Sequence, residues 1–244
     1  MLKYVDVHCH VNEFPNYENF LKKNKDILII NNGLNSESNR KSLELCKKYS
    51  NVKVALGIHP LDVEGTNVRK EIDFIRRNKN KIVAIGEIGL DKKYSTYLNE
   101  QIKAFSSFLE LSLDLKLPVI VHSRLAEHET INLLEDNDVK KVVMHCFSGN
   151  LKLVKRIIDN NWMLSISSLV ENSEQFKKIV LYSDINNLLT ESDTPYLGVS
   201  KDIGPLVVKN VVKKISELKK INEEEIRKKI LKNYEKIFVE NFKK

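Results

Sequence analysis

Short runs rich in valine and isoleucine recur along the whole chain, each followed by a more polar stretch with helical periodicity. This β, α, β, α alternation constrains the fold more than any other feature. Eight runs are predicted as strands: Tyr4–Val7, Ile27–Asn31, Lys53–Gly57, Ile82–Gly86, Val119–Val121, Val142–Met144, Trp162–Ile166 and Leu188–Thr190. Several, such as KIVAIGE, PVIVH and KKVVMH, are apolar on both alternating faces. That suits parallel strands packed inside a barrel on one side and covered by helices on the other. The clearest helix is expected from about Thr96 to Leu115, with Leu98, Ile102, Phe105, Leu109 and Leu113 on one stripe and Pro118 closing the turn that follows. An α/β fold of the TIM-like (β/α)8 barrel type fits better than an open doubly wound sheet, because no glycine-rich phosphate loop follows the first strand. No linker, repeat or low-complexity tract interrupts the pattern, so residues 1–244 are read as a single domain.

With 42% hydrophobic and 30% charged residues, the composition excludes disordered and collagen-like classes. The three cysteines, Cys9, Cys46 and Cys146, are odd in number and have no CxxC spacing, which argues against a disulfide framework or a thiolate zinc site and for a reducing, cytoplasmic setting. No apolar stretch reaches the roughly 18 to 20 residues of a membrane span, and the start MLKYVDVHCH does not read as a signal peptide. No membrane association and no obligate protein partner are expected. Of the formal net charge of +7, residues 201–244 carry +6. That segment has apolar residues at helical spacing (Val208, Val211, Val212, Ile215, Leu218; Ile226, Ile230, Tyr234, Ile237), so its lysines are expected on solvated helix faces rather than on a nucleic-acid footprint.

Five of the six histidines, His8, His10, His59, His122 and His145, fall at or just past a predicted strand end; His128 falls in a predicted helix and reads as a surface residue. In a parallel barrel all C-terminal strand ends converge on one face, where the five can meet. In DVHCH, alternation puts His8 and His10 on one side, able to chelate one cation, and points Cys9 elsewhere. Glu87 is expected to end the strand IVAIGE and Asp193 to follow LLTES; a carboxylate has two oxygens and can bridge two cations. Any one of these residues alone is an ordinary polar side chain. Seven clustered together would repel and be costly to desolvate without a cation among them.

The runs DVHCH, GIHP at Gly57–Pro60, GEIGLD at Gly86–Asp91, PVIVHSR at Pro118–Arg124, HCFSG at His145–Gly149 and ESDTPYL at Glu191–Leu197 together resemble the TatD-like metal-dependent hydrolases of the amidohydrolase superfamily. The resemblance implies that His8, His10 and Asp193 bind a first divalent metal ion and that Glu87 bridges to a second held by His122 and His145. It implies hydrolysis by a two-metal site, with Asp193 as general base. His59 is implied to act on substrate or transition state, a supporting place behind a ligand being the alternative. Nitrogen and oxygen ligands suit zinc, manganese or magnesium, and the histidine content favours the first two. Cys9 and Cys146 are expected to face away and pack in the core.

The resemblance further implies a deoxyribonuclease trimming single-stranded DNA from 3′ to 5′, with nucleic acid as substrate partner. Arg124, Lys92 and Lys93 are candidate phosphate contacts, and Tyr94, Phe147 and Tyr196 candidate stacking platforms. Leu125 stands where the family usually has Asp, and GVSKDIGPLVV after Leu197 replaces a loop with Arg and Asn-Glu-Pro, so reaction type is better supported than substrate. The competing readings are a hydrolase of small esters, amides or lactones and a non-catalytic nucleic-acid-binding barrel.

Overall fold

Each of the eight apolar runs forms a strand because its Val and Ile side chains can be buried on both faces at once. In the computed structural model, which describes residues 3–239, every residue of β2 (Ile27–Asn32), β4 (Ala84–Asp91), β6 (Val142–Met144), β7 (Met163–Ile166) and β8 (Leu188–Thr190) is buried. Burying each such side chain contributes about 1.5–3 kcal/mol against the entropy of ordering the chain. With β1 (Tyr4–Cys9), β3 (Val52–Leu56) and β5 (Val119–Arg124) they make one eight-stranded parallel sheet in chain order. The sheet curls so that β1 and β8 meet, linked by Thr190 Oγ1 to the Val5 carbonyl (2.5 Å), Asp193 N–H to His8 (2.9 Å) and His10 N–H to Thr194 (2.7 Å). The expected (β/α)8 barrel forms; residues 1–2 and 240–244 of the expected domain lie outside the described residues.

Helices cross from each strand to the next: α1 (Tyr17–Lys23), α2 (Ser36–Lys48), α3 (Val68–Arg77), α4 (Leu98–Leu115), α5 (Glu127–Asp136), α6 (Leu151–Asp159) and α7 (Glu174–Tyr182), with α8 (Ser200–Ile203), α9 (Val207–Lys219) and α10 (Glu223–Phe238) after β8. Asparagines start several of them. Asn35 caps α2 by accepting the Ser38 N–H, and Asn150 caps α6 by accepting those of Lys152 and Leu153. The apolar spacing of the C-terminal segment is realised, with Val208, Val211, Val212 and Ile215 of α9 and Ile226, Ile230, Tyr234 and Ile237 of α10 buried. Part of its positive charge is spent on ion pairs, Lys209 with Asp26 (2.9 Å), Lys214 with Glu217 (3.0 Å) and Lys228 with Glu224 (2.6 Å). Among the described residues no helix is long and apolar enough to cross a membrane.

Several boundaries differ from the sequence expectation. β1, β4 and β5 continue past their apolar runs, because most of the polar residues that follow are buried in the barrel mouth and the ladder resumes there, Cys9 with Asn31 and Ile88–Asp91 with Val121–Arg124. Glu87 therefore does not end its strand. It sits inside β4, at a register irregularity between Ile85 and Ile88. Trp162 precedes β7 and anchors below it, its indole N–H donating to the Val139 carbonyl (2.9 Å). Leu113, expected on the buried stripe of α4, is 44% exposed. The helix is instead turned so that Gln101, Ala104, Phe105, Phe108, Leu109 and Ser112 face inward; the Gln101 amide holds both the N–H (2.8 Å) and the C=O (3.1 Å) of Asp91.

At Gly89 (φ +146°), which pairs with His122, a Cβ would stand 2.0 Å from the His122 carbonyl oxygen. Only glycine lets β4 pass this close to β5. Gly89→Ala is expected to cost more than about 2 kcal/mol, read as a lowered denaturant midpoint; an unchanged midpoint would contradict this packing.

Candidate metal centre

Parallel pairing in chain order brings the ends of β1, β3, β4, β5, β6 and β8 to one mouth, and Glu87 lies in its middle. Its Oε2 is 3.4 Å from His8 Nε2 and 3.5 Å from His10 Nε2. Its Oε1 is 3.0 Å from His122 Nδ1, 3.7 Å from His59 Nε2 and 3.8 Å from His145 Nε2. Asp193 Oδ1 stands 3.5 Å from His8 Nε2 and 3.8 Å from His10 Nε2. The His8 and His145 rings stack at 3.6 Å between centroids. All seven residues singled out from the sequence are thus brought together, while His128 is an exposed residue of α5, hydrogen-bonded to Asn132.

Three triads present one donor atom each within 4.8 Å of one another: His8, His10 and Glu87; His59, Glu87 and His122; and His8, His145 and Asp193. Both ring nitrogens of His8 are buried without a hydrogen-bond partner among the described residues. Orphaned imidazole nitrogens beside carboxylate oxygens are the donor set that zinc or manganese takes, so the residues present fit a divalent cation.

The electrostatics point the same way. Burial pushes the Glu87 carboxyl up, but the imidazoles of His8, His59, His122 and His145 outweigh it and hold the group well below the usual carboxylate range. Asp193 behaves alike, burial being overcome by His8, His145 and His10. For His145, burial opposes the charged ring, yet Glu191 and the other carboxylates lift it to about 10. Burial takes His59 down to about 4, so its ring is neutral. A pocket that stabilises carboxylates and attracts positive charge this strongly is built for cations.

Hydrogen bonds around the cluster fix its members. Asp6 Oδ1 accepts the backbone N–H of Ser192 (3.0 Å) and of His8 (3.3 Å), tying the segment that carries Asp193 to β1. Asp193 itself adopts a left-handed backbone (φ +51°), which a short polar side chain tolerates. His10 Nδ1 meets the Asn32 carbonyl (2.9 Å), His122 Nε2 meets Asp91 Oδ2 (3.1 Å) and His145 Nδ1 meets Glu191 Oε2 (3.0 Å). Sequence reasoning passed over Asp91 and Glu191, although both stand inside the motifs GEIGLD and ESDTPYL. An acid one to four residues from a ligand-type side chain was the available signal.

A cavity of about 420 Å³ opens above the cluster, lined by Arg124, Tyr94 and Tyr196 as well as by apolar Leu169 and Phe176. Lys92 and Lys93 do not line it. They border an adjacent groove with Tyr94 and Tyr97, and Lys92 is paired with Glu129 at 2.7 Å. Tyr94 and Tyr196 are 60% and 51% exposed, whereas Phe147, at 2%, belongs to the core and is no stacking platform. Its ring occupies the space that a Cβ on Gly149 would need. Cys9 packs in the core as expected, but Cys146, with φ +41°, lines the cavity and touches the Ser167 hydroxyl at 3.4 Å. The left-handed turn at that residue breaks the strand alternation that would have pointed it away. Leu125 is 62% exposed, and Leu197 lines the cavity.

A parallel barrel with imidazoles and carboxylates converging at its C-terminal mouth defines a metal-dependent hydrolase class of site. The family model described as TatD related DNase matches residues 5–239. The chain is 35% identical to an uncharacterized metal-dependent hydrolase of Methanocaldococcus jannaschii, over 97% of both chains, and 28% identical to a human deoxyribonuclease, over 96% of this chain and 94% of the relative. Among solved structures, a TatD homologue from Escherichia coli superposes with a TM-score of 0.88 at 24% identity, covering 97% of this chain and 98% of that one. This chain belongs to the TatD family of metal-dependent hydrolases.

Proposed function

We propose that the protein is a two-metal phosphodiesterase, a deoxyribonuclease that trims single-stranded DNA from the 3′ end. The observation that carries the reading is the placement of Glu87, which turns one oxygen to His8 and His10 and the other to His122, His59 and His145. In this reading His8, His10 and Asp193 would hold one cation and His122 and His145 a second, with Glu87 able to serve either. Divalent cations held there would supply Lewis-acid stabilisation to the oxygens of an in-line displacement and would make water acidic enough to deprotonate near neutrality.

The chain's own groups do the rest. Asp193, its side chain 16% exposed against 3% for Glu87, faces the cavity, takes the proton from the attacking water and returns it to the leaving oxygen. His59 Nδ1 accepts the Leu61 N–H at 3.2 Å, so the proton of its neutral ring sits on Nε2, where it can donate to a phosphoryl oxygen. The Arg124 guanidinium lies 5.3 Å from the Tyr94 ring centroid at the cavity rim, a cation beside an exposed stacking face, which suits a phosphate next to a base. The human relative named as a deoxyribonuclease supports the same substrate class.

Metal-reconstituted protein is expected to shorten an end-labelled single-stranded oligonucleotide from its 3′ end. Asp193→Asn should fold normally and lose at least about a hundredfold in turnover, and wild-type rates in that variant would remove the general base. No cleavage with zinc, manganese or magnesium would shift the reading to small esters, amides or lactones. Arg124→Ala should raise KM for oligonucleotides more than for a small phosphodiester; equal effects would argue against a backbone contact.

A further inference from the structure

The polar groups behind the cluster sort its histidines by which nitrogen they leave open. A backbone carbonyl or an ionised carboxylate can only accept, so the ring nitrogen facing it carries the proton. The Glu191 carboxylate at His145 Nδ1 (3.0 Å) therefore leaves Nε2, which faces Glu87, as the nitrogen open to a cation. His122 is turned the other way: Asp91 Oδ2 accepts from Nε2 (3.1 Å), and Nδ1, 3.0 Å from Glu87 Oε1, is the nitrogen whose lone pair a cation beside Glu87 would take. Two lone pairs facing each other at that distance repel unless a cation or proton lies between them.

We propose that Asp91 and Glu191 are positioning residues that set the ring orientation of His122 and His145 and fix which nitrogen each leaves for a cation beside Glu87. The inference rests on the metal-centre reading above. Both carboxyl groups are almost wholly buried, at 1% and 0% exposure, so the groups each one binds must offset the cost of its burial.

The two are wired differently, and that makes the inference testable. Asp91 uses both oxygens: Oδ1 accepts the backbone N–H of Lys93 (2.8 Å) and Tyr94 (2.9 Å), and Oδ2 serves His122. Glu191 concentrates its bonds on Oε2, which takes His145 and the Ser165 hydroxyl, while Oε1 has no hydrogen-bond partner among the described residues. An amide at position 91 must keep its oxygen on the two backbone N–H groups and turn its NH2 to His122 Nε2. Donor then faces donor, and the ring proton is driven to Nδ1, the nitrogen meant to stay bare. An amide at position 191 can put its oxygen in the place of Oε2 and its NH2 where nothing is bonded, leaving His145 as it was.

The same chemical change should therefore have different consequences at the two sites. Zinc affinity, measured by chelator competition, is expected to fall about 10- to 100-fold in Asp91→Asn and by less than about tenfold in Glu191→Gln. The thermal midpoint of metal-free Asp91→Asn should stay at the wild-type value, because the turn at Lys93 and Tyr94 is retained. In long-range proton–nitrogen spectra, His122 should carry a proton on Nε2 in the wild type and lack it in Asp91→Asn. Wild-type zinc affinity in Asp91→Asn, an equal loss in both variants, or a wild-type His122 without the Nε2 proton would each overturn the inference. Wild-type protein that held no zinc would instead overturn the metal-centre reading, and the ring spectrum would still decide this one.

Discussion

The cost of drawing charged and polar groups out of water is the constraint on which the mouth of this barrel depends. Five imidazoles and two carboxylates are drawn from six different strand ends into a space where neighbouring donor atoms stand 3.0 to 3.8 Å apart. Left to water these groups would separate. Parallel pairing in strict chain order holds them, since it fixes where every C-terminal strand end must emerge, and the Val and Ile core beneath supplies the free energy to keep them there. Local devices then add precision. Asp6 ties the Asp193 segment to β1, Gln101 grips Asp91 through both its backbone groups, and Gly89 lets β4 lie against β5 at His122.

Much of this was legible in the sequence because it follows from periodicity. Runs apolar on both faces mark parallel strands, and histidines at their ends must share one mouth, which the contacts of His8, His10, His59, His122 and His145 with Glu87 bear out as geometry. The departures arise where tertiary contacts override the local pattern. Glu87 lies inside β4 because strand pairing extends into the polar mouth. Leu113 faces solvent because the Gln101 side chain sets the rotation of α4. Cys146 lines the cavity because its backbone turns left-handed, and nothing in its residue type announces that. Asp91 and Glu191 escaped notice for a related reason: their importance lies in which imidazole nitrogen they face, a property of orientation that spacing does not carry.

The substrate side rests on fewer constraints. Arg124 and Tyr94 meet at the cavity rim, but Lys92 is engaged by Glu129 and, with Lys93, borders a neighbouring groove. Under the proposed function, a strand whose terminal phosphate entered the mouth would leave past Tyr94 and Arg124 rather than between two lysines. The apolar walls at Leu169 and Phe176 suit the face of a base or sugar better than a second charged group.

The proposed bridging role of Glu87 is tested most directly by anomalous diffraction from crystals grown with manganese. Two peaks about 3.5–4 Å apart, with the Glu87 carboxylate between them and His8 and His10 on one side, are the predicted result. A single peak, or peaks that leave Glu87 without contact, would contradict it.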